Sequence, residues 1–291
     1  MFAEPNQQLS IFEQVQMLDP TLSDEEAVIR VCEDILETAD AQPPIQVEVI
    51  ASLRGIARIE LRDQPWAGVL VPTASGGLEV SVRATDAYER QRFTICHEAG
   101  HTLFPGFHEQ RQYRCNGEKT RLEQLCDCAA SELLLPRRMF SADLAEASFG
   151  WESVEELHWR YEASIEATAN RVVDLWPGDD VALLVLHERH KPSEEGREDE
   201  FPPRLRLDYA HTGSGTWPFV RRHKSASDDS PLMAAMFGED VSDIASLDEF
   251  FGSSVGPVEV HARRFGGEGR VLALVRRPPS HRGRKTYATV T

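Results

Sequence analysis

The stretch QRFTICHEAGHTLF, residues 91–104, contains the strongest functional signal in the chain, the motif His97-Glu98-Ala99-Gly100-His101. Asp86, a candidate N-cap before it, and Pro105-Gly106 after it predict a single helix that runs to about Leu103. Side chains four residues apart lie on the same face of a helix, so both imidazoles could bind one metal ion. Glu98 lies beside them and could polarise a water molecule bound to that metal. The motif therefore predicts a catalytic zinc site.

A catalytic zinc ion needs a third protein ligand and an open fourth position. The candidates are the acidic residues that follow the motif: Glu109, Glu118, Glu123, Asp127 and Glu132. A second predicted helix begins near Arg121 and stops at Pro136, and Glu123 and Asp127 share one of its faces. This arrangement resembles the gluzincin pattern, in which the Glu is a ligand and the Asp holds a ligand histidine through its other ring nitrogen. Glu132 falls roughly on the opposite face, and we interpret it as a surface charge.

Two segments together resemble the ImmA/IrrE zinc metallopeptidases, namely QRFTICHEAGHTLF and RLEQLCDCAASELLLP. The signature of that family is RF-x-x-x-HE-x-GH, followed by a helix that carries a Glu and an Asn or Asp and ends in a stretch such as AAELLMP. The resemblance covers about residues 45–176 and implies a zincin-like domain with one zinc ion. It places the ligands and the general base on these residues: His97, His101 and Glu123 as ligands, Glu98 as base, and Asp127 at the polar position four residues after the ligand Glu.

The same resemblance bears on partners and on one local ambiguity. Family members often cleave a helix-turn-helix repressor encoded beside them. Those of the radiation-response type add a helical segment and a C-terminal GAF-like domain. For residues 45–53, IQVEVIASL, alternation favours a strand while the apolar spacing also fits a helix, and the resemblance implies a helix.

The loop between the two metal-binding helices provides three further candidates. Tyr113 and His108 are the candidates for stabilising the oxyanion that forms when a peptide carbonyl is attacked. Cys115 could fold over the open zinc position, where a thiolate would close a four-coordinate site and block water activation. The alternative is that Cys115 is an ordinary loop cysteine. Cys96, Cys126 and Cys128 we interpret as packing residues of the helices.

The charge distribution divides the chain into two parts. Residues 1–180 hold 15 basic and 32 acidic side chains, a net charge of −17, whereas residues 181–291 hold 16 of each. Pro177-Gly178-Asp179-Asp180 is the candidate linker. We predict an α+β chain with three segments: a zincin-like metallopeptidase domain at 1–136, a helical, helix-turn-helix-like segment at 137–178, and a GAF-like sensor domain at 181–291.

The sequence of the last segment alternates between strand-like runs and short helices. The runs are VALLVLHE, RLRLDYA, VEVHARRF and VLALVRR, and the helices are expected near 231–237 and 247–251. After Glu268 the chain has six basic residues and no acid. This basic end is either a solvated strand end and tail or a patch that binds a nucleotide or single-stranded DNA. Residues 151–176 are acidic, which favours packing or repressor docking over DNA reading.

Several classes of protein are excluded by composition. There is no run of 18 apolar residues, so we predict no transmembrane helix and no membrane partner. The N-terminus has neither a basic nor an apolar region typical of a secretory signal. Five cysteines without a C-x-x-C pair indicate reduced thiols in the cytoplasm.

These observations favour a zinc-dependent endopeptidase that cleaves a helix-turn-helix repressor at a specific site in a stress or phage-defence response. One alternative is a zinc-stabilised adaptor that binds the repressor without cutting it. Glu98 argues against that adaptor, because a structural zinc site needs no general base. The other alternative is a ligand-sensing module whose peptidase domain is vestigial.

Overall fold

A computed structural model of the protein describes most of the chain. The described residues are 9–74, 76–107, 112–113, 120–177, 180–213, 217–252, 255–266 and 269–277. Within these ranges the chain forms two compact units, the first from residues 1–140 and 156–168 and the second from residues 141–155 and 169–291. The two units therefore share the predicted helical segment 137–178 between them.

The first unit combines helices with one mixed sheet. Its helices are α1 (Ile11–Leu18), α2 (Asp24–Thr38), α3 (Val47–Leu53), α4 (Tyr88–His101) and α5 (Arg121–Leu134). Its strands are β1 (Ile56–Arg62), β2 (Gly68–Pro72), β3 (Leu78–Arg83) and β4 (Gln112–Tyr113). The predicted helices around residues 91–103 and 121–136 are confirmed, and the helix that the resemblance implied near 45–53 is α3.

A local sequence signal explains where α2 begins, but the signal read for α4 does not. Ser23 caps α2, because its Oγ accepts from Glu26 N at 3.3 Å and Glu26 Oε2 accepts from Ser23 N at 2.8 Å. The predicted cap of α4 is wrong. Its N-cap is Ala87, which makes no side-chain cap bond, while Asp86 Oδ1 accepts from Arg83 Nε at 2.8 Å instead.

The sheet of the first unit supports the helix that carries His97 and His101. Its strand order is β1-β3-β2-β4. β1 and β3 are parallel, and β2 runs antiparallel to both β3 and β4. A turn that contains Gly76 and Gly77 joins β2 to β3, and Gly76 has a φ of 84°, which only glycine adopts readily. α4 packs against β2 and β3 and also against α3 and α5, so the motif is buried on several sides.

Arg92 ties α4 to two other segments of the first unit. Its side chain is 4% exposed. The guanidinium donates to Ile45 O at 2.8 Å and to Glu162 O at 3.1 Å, and it lies 3.3 Å from the Glu162 carboxylate. These hydrogen bonds satisfy the backbone carbonyl groups of Ile45 and Glu162, which belong to segments outside α4. Arg92 therefore holds the motif helix in place from outside the site.

Arg92→Met keeps much of the side-chain volume and removes every donor. Because the hydrogen bonds of a buried guanidinium and its ion pair with the partly exposed Glu162 are lost together, we expect the free energy of unfolding of the first unit to fall by about 3 kcal/mol. Chemical denaturation followed by circular dichroism measures this change. Arg90→Met, at an exposed position of the same helix, is the control. Similar losses in the two variants would contradict the role given to Arg92.

Three helices follow α5, and the division between the two units passes through each of them. They are α6 (Arg137–Ala145), α7 (Trp151–Tyr161) and α8 (Ile165–Leu175). α7 and α8, with a short turn between them, match the predicted helix–turn–helix pattern. Phe140 and Tyr161 stack in the first unit with ring centroids 5.2 Å apart. Phe149 and Trp176 stack in the second unit at 5.1 Å.

The second unit contains an antiparallel sheet of order β6-β5-β9-β8-β7. Its elements are β5 (Val181–Arg189), a short 3₁₀ turn (Pro192–Glu194), β6 (Arg204–Thr212), α9 (Pro231–Met236), β7 (Val241–Ala245), α10 (Asp248–Phe251), β8 (Val258–Arg264) and β9 (Arg270–Arg276). The strand runs and short helices predicted beyond residue 180 are confirmed. β7 was not predicted, because its sequence VSDIA is half polar and its middle residues are exposed.

Both faces of this sheet are covered. On one face, alternate strand residues form a core with α9 and α10, including Leu184, Val260, Val275, Leu232 and Phe250. On the other face, Trp151 Nε1 donates to His261 O at 2.9 Å, and Phe149 meets the His261 ring edge-to-face with centroids 5.2 Å apart. The α+β class is confirmed, while the assignment of this unit as GAF-like stays a prediction. In the described part of the chain, no helix has both the length and the apolar character needed to cross a membrane.

Candidate metal centre

Two helices of the first unit bring three metal-ligand side chains together. His97 and His101 lie one turn apart near the end of α4 and are 1% and 2% exposed. Glu123 lies in the first turn of α5, with Thr120 Oγ1 accepting from its backbone N–H at 3.2 Å. The Nε2 atoms of His97 and His101 are 3.2 Å and 3.5 Å from the two carboxylate oxygens of Glu123. The same nitrogen of each ring therefore faces the same carboxylate.

These separations fit a tetrahedral metal centre. Zinc binds imidazole nitrogen and carboxylate oxygen at about 2.0–2.1 Å, so two ligand atoms of a tetrahedron are roughly 3.3 Å apart. Each observed nitrogen–oxygen distance is close to that value, and each ends on a different oxygen of the Glu123 carboxylate. Two imidazoles and one carboxylate are also the donor types of a catalytic zinc site with one open position. The residues could therefore hold a zinc ion.

Asp127 lies behind His97. Its Oδ1 is 2.9 Å from His97 Nδ1, the ring nitrogen that faces away from Glu123. A carboxylate in this position fixes the ring orientation and keeps the proton on Nδ1, so that Nε2 carries the lone pair. The hydrogen bond with His97 also lowers the pKa of the Glu123 carboxyl below its usual value, although burial opposes this change. Glu123 is therefore ionised at neutral pH.

Glu98 lies at the side of the two histidines, where the motif predicts a general base. Its side chain is completely buried between α4 and the start of β2. Gly68 is the residue of β2 that faces it. A Cβ atom at Gly68 would lie 2.6 Å from Glu98 Oε1 and 2.4 Å from Thr94 Cγ2. Only glycine therefore leaves space for this carboxylate.

Cys126 belongs to the same group of side chains, a role that our sequence interpretation missed. Its Sγ is 3.4 Å from His101 Nδ1, and His97, His101 and Cys126 have potential ligand atoms within 4.8 Å of one another. The sulfur faces Nδ1 of His101, whereas both Nε2 atoms face Glu123. We therefore favour Glu123 as the third ligand. The spacing of Glu123 and Cys126, three residues apart on one helical face, was the available signal.

The remaining cysteines near the helices have packing roles among the described residues. Cys96 is fully buried, and burial raises the pKa of its thiol to about 12. Cys32 on α2 is also fully buried, and its Sγ lies 3.8 Å from Ala129 O of α5. Among the described hydrogen bonds, neither thiol is paired with a histidine ring. The interpretation of Cys96 as a packing residue therefore agrees with its position.

Other predicted residues fall into two groups. His108, Cys115, Glu109 and Glu118 lie outside the described residues, and for Tyr113 only the backbone, in β4, is described. Their predicted roles therefore stay predictions. The interpretation of Glu132 as a surface charge is wrong: it is 1% exposed, and its Oε1 accepts from Arg137 N at the start of α6 at 2.7 Å. Buried acids that bond to a helix N-terminus are stabilised there.

Comparison with known proteins agrees with the geometry. Residues 52–173 match the model of a peptidase family described as the IrrE N-terminal-like domain. This part of the chain is similar to the IrrE N-terminal-like domain. The resemblance to the ImmA/IrrE family is thus confirmed, and the matched range contains α4 and α5 with all the residues of the candidate centre. The mixed helix and sheet arrangement of the first unit fits a zincin-like fold.

One solved structure extends the likeness beyond this domain. A Mycobacterium tuberculosis transcriptional regulator superposes with a TM-score of 0.54 over 93% of this chain and 82% of that chain, at 13% sequence identity. At this identity the likeness shows the fold alone. Comparison with curated proteins gives no match.

Proposed function

We propose that the protein is a cytoplasmic, zinc-dependent endopeptidase that cleaves a helix-turn-helix transcriptional repressor at a specific site in a stress or phage-defence response. The observation that carries the proposal is the convergence of His97 Nε2 and His101 Nε2 on the Glu123 carboxylate, with Glu98 buried beside them. The match of residues 52–173 to a peptidase family supports the same reaction class.

The side chains of the centre have separate roles in the proposed reaction. A zinc ion bound by His97, His101 and Glu123 would lower the pKa of a water molecule and polarise the scissile carbonyl. Glu98 accepts the proton of the attacking water and then delivers it to the amine that leaves. Asp127 keeps His97 in the tautomer that presents Nε2. Tyr113 or His108 is proposed to donate to the developing oxyanion, and Cys115 to act as the inhibitory thiolate.

The charge of the chain suggests how a repressor would be attracted. The acidic excess of 17 lies within residues 1–180, which contain the whole IrrE N-terminal-like domain. A DNA-binding repressor is expected to be basic, so electrostatic steering would accelerate its association. The association rate should therefore fall as the salt concentration rises.

We propose the second unit as the sensor, of GAF-like type, for a nucleotide or single-stranded DNA. Its antiparallel sheet, with α9 and α10 packed on one face, supports a small sensory fold. Two of its basic residues are already neutralised within the unit: Arg276 Nη2 lies 2.6 Å from Glu259 Oε2, and Arg277 Nη1 lies 2.7 Å from Asp180 Oδ2. An anionic ligand would therefore depend mainly on the later basic residues, which lie outside the described ranges: Arg282, Arg284 and Lys285.

The experiment that tests the proposed function is incubation of the zinc-loaded full chain with candidate helix-turn-helix repressors, with and without single-stranded DNA. A discrete pair of fragments supports the endopeptidase. Stable binding of a repressor without fragments supports the adaptor instead, and ligand binding with neither result supports the sensing module with a vestigial peptidase domain. Mass spectrometry of the products gives the cleavage site.

Gly68→Ala tests whether the position of the Glu98 carboxylate matters for the reaction. The added methyl group forces the carboxylate to move by roughly 1 Å, and a displacement of that size costs about 100-fold in rate. Zinc content should stay unchanged, because Gly68 faces none of the three proposed ligands. Cleavage rate and zinc content are measured on the same preparation.

Two further variants show whether displacement of Glu98 causes the loss of activity. Gly77→Ala adds a methyl group in the β2–β3 turn with only ordinary contacts, the nearest atom being 3.5 Å away, and should cleave normally. Thr94→Ser removes the other atom that the new methyl group would meet. If Gly68→Ala regains full activity in the Thr94→Ser background, packing against Thr94 rather than displacement of Glu98 caused the loss.

A further inference from the structure

The two histidines of the candidate centre are supported by different groups. His97 Nδ1 lies 2.9 Å from a carboxylate oxygen of Asp127, and His101 Nδ1 lies 3.4 Å from the sulfur of Cys126. We infer that Cys126 is the positioning residue of His101, whose Nδ1–H it accepts, so that Nε2 of His101 is presented to zinc. This inference rests on the zinc centre of the proposed function.

One face of α5 carries the three side chains that contact the two histidine rings. Glu123, Cys126 and Asp127 have the spacing i, i+3 and i+4, which places them together. Glu123 faces both Nε2 atoms, while Cys126 and Asp127 each face one Nδ1 atom. The sequence Glu-x-x-Cys-Asp is thus one unit that orients both imidazoles.

The close approach of α4 and α5 explains why residue 126 must be small. A Cβ atom at Gly100 would lie 3.3 Å from both Cα and O of Cys126 and 3.2 Å from Cβ of Ala129. The two helix backbones are therefore nearly in contact beside His101. A side chain with one heavy atom beyond Cβ can reach the ring here, whereas a longer one would push the helices apart.

The chemistry of a thiol also suits this position. When Nε2 binds a metal, the proton of the neutral ring is on Nδ1, and sulfur can accept it as a weak acceptor. Cys126 is fully buried, and the carboxylates of Glu123 and Asp127 already lie next to the two rings. A further carboxylate would add a buried negative charge to this group, which is costly. A protonated thiol orients the ring without that charge.

The test measures zinc affinity of the full chain by competition with a chelator, without any substrate. Cys126→Ala should bind zinc 10–100-fold more weakly, the usual cost of losing a group that supports a metal ligand. Cys126→Ser, whose hydroxyl can also accept, should recover most of this loss. Cys32→Ala is the matched control, because it removes another fully buried thiol that packs on α5, and it should bind zinc like the wild type.

A second readout separates orientation from packing. In ¹H–¹⁵N spectra of the zinc-loaded protein, the Nδ1–H signal of His101 should shift in Cys126→Ala, while that of His97 stays in place. Wild-type affinity in Cys126→Ala, or a Cys126→Ser variant as weak as Cys126→Ala, would overturn the inference. A wild-type chain that binds no zinc would instead remove the centre itself. A chain that binds zinc but cuts no repressor would remove only the proposed function.

Discussion

Glu98→Gln is expected to retain zinc and to lose repressor cleavage by about 10²–10⁴-fold, the usual contribution of a general base. The amide has nearly the shape of the carboxylate, so the buried space beside Gly68 stays filled and the packing of α4 against β2 is kept. What is lost is the ability to take a proton from water and to pass it to the departing amine. Quantified fragment yield and metal analysis of the same sample measure both effects.

Glu89→Gln is a suitable control for this variant, since it changes an acid in the first turn of the same helix, far from the histidines. It should behave like the wild type in both measurements. Equal loss of intact repressor with Glu98→Gln would rule out the proposed peptidase mechanism. Repressor that is bound but never cut, by wild type and variant alike, would favour the adaptor.

Glu123→Ala is expected to weaken zinc binding by well over the 10–100-fold that follows loss of a supporting group, because a direct ligand is removed. Added zinc raises the melting temperature of a protein only when the folded state binds it. The wild type should therefore be stabilised by zinc, and the variant should not. Thermal unfolding with and without zinc, combined with chelator competition, checks the expectation. Gln124→Ala, the exposed neighbour on α5, is the control and should keep wild-type zinc affinity.

This variant also shows whether Glu123 or Cys126 is the third ligand beside the two histidines. If Glu123→Ala keeps near-normal zinc affinity while Cys126→Ala loses it, the thiol rather than the carboxylate is the third ligand. The structure favours the carboxylate, because both Nε2 atoms face it at 3.2 Å and 3.5 Å.

The sequence predicted those parts of the site that depend on spacing within one helix. His97 and His101 at i and i+4, and Glu123 and Asp127 at i and i+4, each define a helical face before any tertiary structure is known. The helix boundaries followed from Pro105-Gly106 and Pro136 for the same local reason. The ambiguity at residues 45–53 required a resemblance, because a nine-residue stretch does not separate the two periodicities.

The missed features depend on contacts between elements. Cys126 and Cys128 were interpreted only as packing residues, and the sequence does not say which face of α5 meets His101. Gly68 is the first residue of an ordinary strand, and its need for glycine arises only from Glu98 and Thr94 on another element. Glu132 was misjudged because its partner, the backbone N–H of Arg137, belongs to the start of the next helix. Such pairings are decided by packing and have no periodic signature.

The order in which the chain builds its two units limits how the protein can be divided. The chain leaves the first unit after residue 140, returns at 156, and leaves again after 168. A fragment that stops at residue 136 would lack Glu162, whose backbone carbonyl and carboxylate both bind Arg92 on the motif helix. A fragment that stops at 178 would keep Phe149 and Trp151 but remove the sheet residues that they contact. The two units are thus interleaved along the chain. A single cut cannot separate one complete unit from the other.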